Sequence, residues 1–234
     1  MHGFWVCAAA AVTLACPASA QPAAGPAKPP PEGWNFLPEL AQYGGGDIFN
    51  VVAGDKGDVA GPWMHVHTKK NVAILTRDVS APLTAATTLK WRWNFKTLPT
   101  KLAETSAANH DYISIAVKFE NGRDLTYMWS AVLPPGTGFA CPLPGWENRE
   151  THVVIRSGGQ SLGHWLSEEH AILADYGKHI GGPVPGRIVQ VWLIANSIIQ
   201  QTEGEATFAD ISIGEGAKAP RVRVFRRRGQ LSGN

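Results

Sequence analysis

Between Leu89 and Phe95 the chain alternates without a break: Leu89, Trp91, Trp93 and Phe95 are apolar, and Lys90, Arg92 and Asn94 between them are polar. A period of two belongs to a strand with one face on a core and the other in water. Ile113, Ile115, Val117 and Phe119 repeat the pattern, and Glu120-Asn121-Gly122-Arg123 then supplies an Asn-Gly hairpin turn. Leu125, Tyr127, Trp129 and Ala131 form the return strand. Further strands are expected at 47–52, 63–67, 72–76, 151–156, 187–195 and 206–213. In the 187–195 segment Val189, Val191 and Leu193 face one side and Ile188, Trp192 and Ile194 the other, which predicts burial on both faces. Short strands parted by Gly- and Pro-rich turns predict an all-β fold, an antiparallel β-sandwich of jelly-roll type. One short helix is expected: Ser167 caps it, Glu168 and Glu169 fill its first turn, and Ile172, Tyr176 and Ile180 form its apolar stripe. Gly181-Gly182-Pro183 ends it.

The first residues bear on compartment. Phe4 to Cys16 is apolar but shorter than the ~20 residues a bilayer span needs. Pro17 and Ala18-Ser19-Ala20 follow, a small-residue cleavage site, so residues 1–20 read as a signal peptide and the protein as periplasmic or secreted. A lipid anchor at Cys16 would want Leu where Thr13 stands. Residues 21–33 read as a stiff Pro-rich linker, 34–216 as the β-sandwich domain and 217–234 as a basic flexible tail. Cleavage leaves no integral membrane segment. Cys7 and Cys16 leave with the signal, so Cys141 has no intrachain partner, and its place beside Phe139-Ala140 reads as a small buried hydrophobe. The formal charge of +2 owes its excess to the arginines from Arg221 to Arg228. The rest is slightly acidic, which excludes a nucleic-acid surface.

Arg92 and Asn94 project from the polar side of one strand, Tyr112 and Ser114 from that of another, with His110-Asp111 at its mouth. Sugars present an apolar C–H face and a rim of hydroxyls, which flat aromatic rings and planar hydrogen-bonding groups match. Eight of the nine tryptophans lie in the first 165 residues. Trp91, Trp93 and Trp129 fall on apolar strand faces and read as core, leaving Trp63, Trp146 or Trp165 as the sugar platform. The expected ligand set is Arg92, Asn94, His110, Asp111, Tyr112, Ser114 and Trp165, for a glycan or small-molecule ligand. A lyase on this fold would use His110 or Tyr112 as base, with Arg92 neutralising a uronate carboxylate. A structural envelope protein binding a partner through its sheet is the third reading. It comes to the front if Arg92 and Tyr112 prove to lie on separate sheets. His65-Val66-His67 has no third ligand at a telling spacing, so neither metal nor cofactor is expected. Glu168-Glu169-His170 reads as helix-end electrostatics. G-x-S-x-G, a Cys–His pairing and a phosphate loop are all absent, as are the paired carboxylates a glycosidase needs.

Several pieces together resemble a family of secreted bacterial domains carrying a domain-of-unknown-function label. They are Leu89-Lys90-Trp91-Arg92-Trp93, Leu98-Pro99, Asn109-His110-Asp111-Tyr112, Leu125-Thr126-Tyr127-Met128-Trp129-Ser130, Ser157-Gly158, Leu162-Gly163-His164-Trp165 and Ala174-Asp175-Tyr176. The resemblance covers residues 45 to 214 and implies a jelly-roll fold of a kind that often binds glycans, with no settled activity. The family has two adjacent acids where His110-Asp111 stand, then an Arg in the stretch that Ser114 and Ile115 fill here. It has a second acid-rich loop where Ala195-Asn196-Ser197-Ile198-Ile199 stand. If those acids hold a metal or polarise a substrate in the family, the resemblance implies that this chain has lost that capacity.

Mass spectrometry of the exported protein is expected to find Gln21 as the N-terminal residue; a lipidated Cys16 in that position would refute the cleavage reading.

Overall fold

A computed structural model describes residues 28–43, 45–53, 55–56 and 59–215. The expected signal peptide, the first part of the linker and the basic tail lie outside the described residues. Two sheets face each other. The larger contains, from edge to edge, β1 (Asn35–Phe36), β6 (Val72–Pro82), β13 (Arg187–Asn196), β8 (Tyr112–Phe119), β9 (Asp124–Ser130), β11 (Glu150–Ser157) and β10 (Gly138–Ala140). The smaller contains β12 (Leu166–Ala171), β7 (Thr87–Thr97), β14 (Glu203–Glu215), β5 (Trp63–Lys69) and β2 (Phe49–Val52). A two-strand ribbon, β3 (Asp55–Lys56) with β4 (Val59–Ala60), stands apart. Strand neighbours run antiparallel except β9 and β11, which pair in parallel with Glu150 opposite Asp124 and His152 opposite Thr126. This is the expected jelly-roll-like sandwich, with one parallel pair that alternation alone does not specify.

The apolar strand faces meet between the sheets. Trp91, Trp93 and Phe95 of β7 pack edge-on along their own strand, at 5.3 and 5.2 Å between ring centroids. Trp129 of β9 closes against Phe95 at 5.0 Å, and its indole N–H donates to the Gly158 carbonyl at 2.9 Å. All three tryptophans are at most 1% exposed.

The larger sheet is also buried on its other face. There Ile74, Tyr112, Ala116, Met128, Val154, Trp192 and Ile194 form a second apolar layer. Leu37, Leu40, Leu133, Phe139 and Trp146 cover it from the short 3-10 turn Pro38–Tyr43 and the residue before it, from β10 and from the loops on either side of β10. β13 is therefore buried on both faces, as its sequence predicts. A bulge between Ile188 and Gln190 shifts its alternation, however, and Ile188 joins the inner core with Val191 and Leu193.

The hairpin at Glu120–Arg123 is present. Gly122 takes φ +84° while the Gly122 N–H bonds the Phe119 carbonyl at 3.0 Å, so the turn is a three-residue loop ending in a glycine bulge.

The helix is shorter than its sequence signals predict. Residues 166–171 form β12, antiparallel to β7, and the helix α1 spans Ile172–His179 with no side-chain cap. Packing explains the difference. Leu166, Glu168 and His170 alternate inward against β7, so Ser167 and Glu169 face water along a strand. Glu168, expected to serve a helix end, is instead 8% exposed. It accepts the Trp93 indole N–H at 2.9 Å and both Nε and Nη2 of Arg156, at 2.8 and 3.0 Å. Among the described residues no helix is long and apolar enough to cross a membrane.

Trp91→Ala and Trp129→Ala are each expected to destabilise the fold by about 3–5 kcal/mol. Chemical denaturation followed by circular dichroism measures this, and an unchanged midpoint would place the ring outside the core.

Candidate functional site

The fold divides the expected ligand set. Arg92 and Asn94 lie on β7 in the smaller sheet, while Tyr112 and Ser114 lie on β8 in the larger one. Both pairs face away from the shared core, so they sit on opposite outsides of the sandwich. No common concavity joins them. The composite site is corrected on this ground, and with it the lyase arrangement that needs Arg92 beside His110 or Tyr112.

The outer face of the smaller sheet is open to solvent. β7 contributes Lys90, Arg92, Asn94 and Lys96; β14 contributes Glu205, Thr207 and Ser212; β5 contributes Trp63, His65 and His67. Trp165, just before β12, meets Trp63 at 6.0 Å with the rings tilted by 50°. Trp63 is buried against Ala209 and forms the floor, and Trp165 is part-exposed above it. Trp63, His65, Asn94, Lys96, Trp165 and Glu205 line a groove of about 310 Å³. A second hollow of about 470 Å³ lies along Lys90, Arg92, Ser167, Glu169, Asp210 and Ser212. The Arg92 guanidinium, 6.0 Å from the centre of the Trp165 ring, links the residues lining the two. Asn94 donates its amide to the Gly163 carbonyl at 2.9 Å, which holds the turn that carries Trp165.

Several charges on this face are paired. Glu205 takes Lys96 at 2.9 Å and His65 at 3.1 Å; Lys90 takes Glu169 at 2.8 Å. Burial opposes the charge on Glu205, but the bonds from Lys96 and His65 together hold its carboxyl below the usual range. His65 and His67 each meet a glutamate of β14, His67 reaching Glu203 at 2.6 Å.

The other half of the set lies under the covered face of the larger sheet. His110, Asp111, Tyr112 and Ser114 are all buried. Asp111 accepts the backbone N–H of Ile199 and Gln200, at 3.1 and 3.2 Å, and the Thr202 hydroxyl at 2.9 Å. Asn196 donates to the His110 carbonyl at 2.8 Å. The segment before β8 and the 196–202 turn thus lie together, and Asp111 holds that turn. Glu104, 1% exposed, receives the Ser130 hydroxyl at 2.5 Å and the Ala131 N–H at 2.8 Å. Burial pushes its carboxyl up against those bonds.

Beside Tyr112 stands a polar cluster that sequence reasoning missed. Cys141, Glu150 and His152 join His110, and one donor atom from each lies within 4.8 Å of the others. Glu150 Oε1 accepts the hydroxyls of Tyr112 at 2.9 Å and Thr126 at 3.1 Å. His110 Nδ1 meets the Glu104 carbonyl at 2.9 Å and its Nε2 lies 3.4 Å from Cys141 Sγ. Phe139 stacks on the His152 ring at 4.8 Å. Burial lowers His110 to about 4 and His152 to about 3, so both rings are neutral at ordinary pH. Burial, then the neighbouring Glu150 charge, raises the Cys141 thiol, the Tyr112 phenol and the Asp124 carboxyl. Cys141 is buried as expected, but among ligating groups rather than hydrocarbon. A buried, protonated thiol with no solvent access is not a nucleophile.

The described fold, with one face covered and the other open and grooved, defines a β-sandwich with a candidate ligand face. The chain belongs to the family described as "Protein of unknown function (DUF3047)", whose profile matches residues 47–212. No curated protein matches it. Among solved structures it is similar to the xyloglucanase domain of NopAA, a type three effector from Sinorhizobium fredii, in complex with cellobiose. Identity there is 12% and the TM-score 0.41, over 72% of this chain and 93% of that one. It is similar also to TmCBM61 in complex with beta-1,4-galactotriose, at 10% identity and TM-score 0.36, over 79% and 90%. A third is the family 11 carbohydrate-binding module of cellulosomal cellulase Lic26A-Cel5E of Clostridium thermocellum, at 10% and 0.37, over 79% and 84%.

Tyr112→Phe removes a hydrogen bond to a buried carboxylate and is expected to cost about 1.5–3 kcal/mol of stability. The same denaturation measurement checks this, and an undiminished stability would mean that Glu150 does not depend on the phenol.

Proposed function

We propose that this protein is an exported carbohydrate-binding β-sandwich and that the outer face of the smaller sheet is its ligand face. The observation that supports this best is the groove between Trp63 and Trp165 on that face. Ringed by Asn94, His65, Lys96 and Glu205, it offers an aromatic surface for a sugar's C–H face and planar donors and acceptors for its hydroxyls. Its volume is at the lower end of the usual range for small-ligand sites, about 300–1,000 Å³. Arg92, Asn94 and Trp165 remain in the ligand set; His110, Asp111, Tyr112 and Ser114 act instead in the interior.

With Arg92 and Tyr112 on separate sheets the composite glycan site and the lyase version of it both fail, and on that criterion alone the envelope-partner reading takes first place. The Trp63–Trp165 groove keeps carbohydrate ahead of it, since that groove owes nothing to the composite. The proposed activity is binding without turnover: Glu205 and Glu169 on the open face are paired with Lys96 and Lys90, and the buried histidines do not reach it.

Titration calorimetry against a panel of soluble plant and envelope polysaccharides tests the proposal. Trp165→Ala is expected to weaken binding at least tenfold, and Arg92→Ala by about 1–3 kcal/mol. Tyr112→Phe leaves the affinity unchanged. No binding across the panel, or full binding by Trp165→Ala, would return the envelope-partner reading to first place.

A further inference from the structure

The buried cluster on the larger sheet needs a physical reason to exist. His152 is fully buried, yet neither ring nitrogen has a hydrogen-bond partner among the described residues. Buried polar atoms are almost always satisfied, so each exception calls for an explanation such as an ion. Glu150 Oε2 lies 3.6 Å from His152 Nε2, too far for a good hydrogen bond. Glu150 already accepts two hydroxyls on Oε1, which leaves Oε2 turned toward the imidazole.

The neighbouring groups are oriented in the same way. The Glu104 carbonyl, an acceptor only, requires His110 Nδ1 to carry the proton, so the Nε2 lone pair points at Cys141. A ring N–H held by a backbone carbonyl is the usual support of a metal-ligating histidine. Glu150 and His152 alternate on β11 and so share a face. Cys141 follows β10, where Phe139 pairs with His152 and fixes that strand against β11. One thiol, two imidazoles and one carboxylate converge from three separate pieces of chain.

We propose that His110, Cys141, Glu150 and His152 form a structural site for a divalent transition metal of the zinc class. The donor set of two nitrogens, one sulfur and one oxygen suits a borderline-soft, tetrahedral ion. Across tetrahedral zinc, neighbouring ligand atoms stand about 3.3–3.8 Å apart. The present maximum of 4.8 Å needs a contraction of about 1 Å, within the reach of small side-chain rotations at Cys141 and Glu150. Four protein ligands with no solvent opening make a closed site, which holds structure rather than activating water. Its effect is to tie β11 to the loop before β8 and to the β10 segment, in a domain that has no disulfide. The expectation of no metal rested on His65 and His67, and the proposed site uses neither.

The full chain, purified without chelator, is expected to retain one equivalent of zinc by elemental analysis. Zinc-stripped protein is expected to melt several degrees lower and to recover on adding zinc. Cobalt(II) substitution is expected to give thiolate-to-metal charge-transfer absorption, with one sulfur and three nitrogen or oxygen neighbours in X-ray absorption. Cys141→Ser abolishes that band, whereas the double variant His65→Gln/His67→Gln keeps both band and zinc. Should Cys141→Ser fail to fold, the wild-type cobalt spectrum and the zinc-dependent melting still decide. A stripped wild-type protein that takes up neither metal and melts unchanged overturns the proposal. So does zinc that survives Cys141→Ser/His152→Gln but leaves with His65 and His67.

Discussion

Burial of both faces of the larger sheet is the constraint on which the rest depends. A sandwich must hide the two sheet faces that meet; hiding a third requires additional chain. Here the 3-10 turn at Pro38–Tyr43, strand β10 and its flanking loops provide it, placing Leu37, Leu40, Phe139 and Trp146 over Ile74, Met128, Val154 and Trp192. Among the described residues the smaller sheet has no comparable cover, and its outer face is left to water. That asymmetry alone separates Arg92 and Asn94, which solvent reaches, from Tyr112 and Ser114, which it does not. Identical alternation on β7 and β8 therefore produces a grooved surface on one strand and a sealed interior on the other.

Much of the fold was legible because alternation is a local property. The nine strands expected from period two all exist, and the core assignment of Trp91, Trp93 and Trp129 follows from their place on apolar faces. Where reading failed, a non-local partner decided. Ser167-Glu168-Glu169 carries good helix-start chemistry, yet β7 offers an edge to pair with. Burial of the Trp93 N–H beside Arg156 then gives Glu168 a better partner than a helix end. Local propensity yields when tertiary contacts outweigh it.

The candidate site was less legible for the same reason. His65-x-His67 and Glu150-x-His152 are alike as strings: two ligating side chains on one strand face. Only the covering chain distinguishes them. On β5 the histidines meet glutamates of the neighbouring strand near water, whereas on β11 Phe139 and Cys141 arrive from β10 and exclude it. The order of strands that brings β10 and β11 together, with β11 parallel to β9, has no periodic signature. Ala174-Asp175-Tyr176, one of the pieces that carry the family resemblance, is structural here. Asp175 accepts the Tyr127 hydroxyl at 3.0 Å and lies 3.1 Å from His170 Nδ1, and Tyr176 packs on Phe119 at 4.9 Å, fixing α1 to both sheets.

The two special regions occupy opposite outsides of one core, about two sheet layers apart, and they place opposite demands on their side chains. The open face keeps its polar groups within reach of solvent, with charges neutralised by neighbours, such as Glu205 with Lys96 and His65, beside the Trp63 and Trp165 rings. A sealed cluster must leave nothing unsatisfied, since in a low-dielectric interior each unpaired group costs most. Glu150 meets that requirement on one oxygen through Tyr112 and Thr126, and His110 meets it on one nitrogen through Glu104. What they leave over, with the Cys141 sulfur and the whole of His152, is turned toward one point. Apolar residues of similar size would fill that volume more cheaply, as buried ion pairs generally show. A chain that instead places a thiol, two imidazoles and a carboxylate beneath a dry lid has committed the lid, and hence the closed face of the larger sheet, to polar chemistry that hydrocarbon cannot replace.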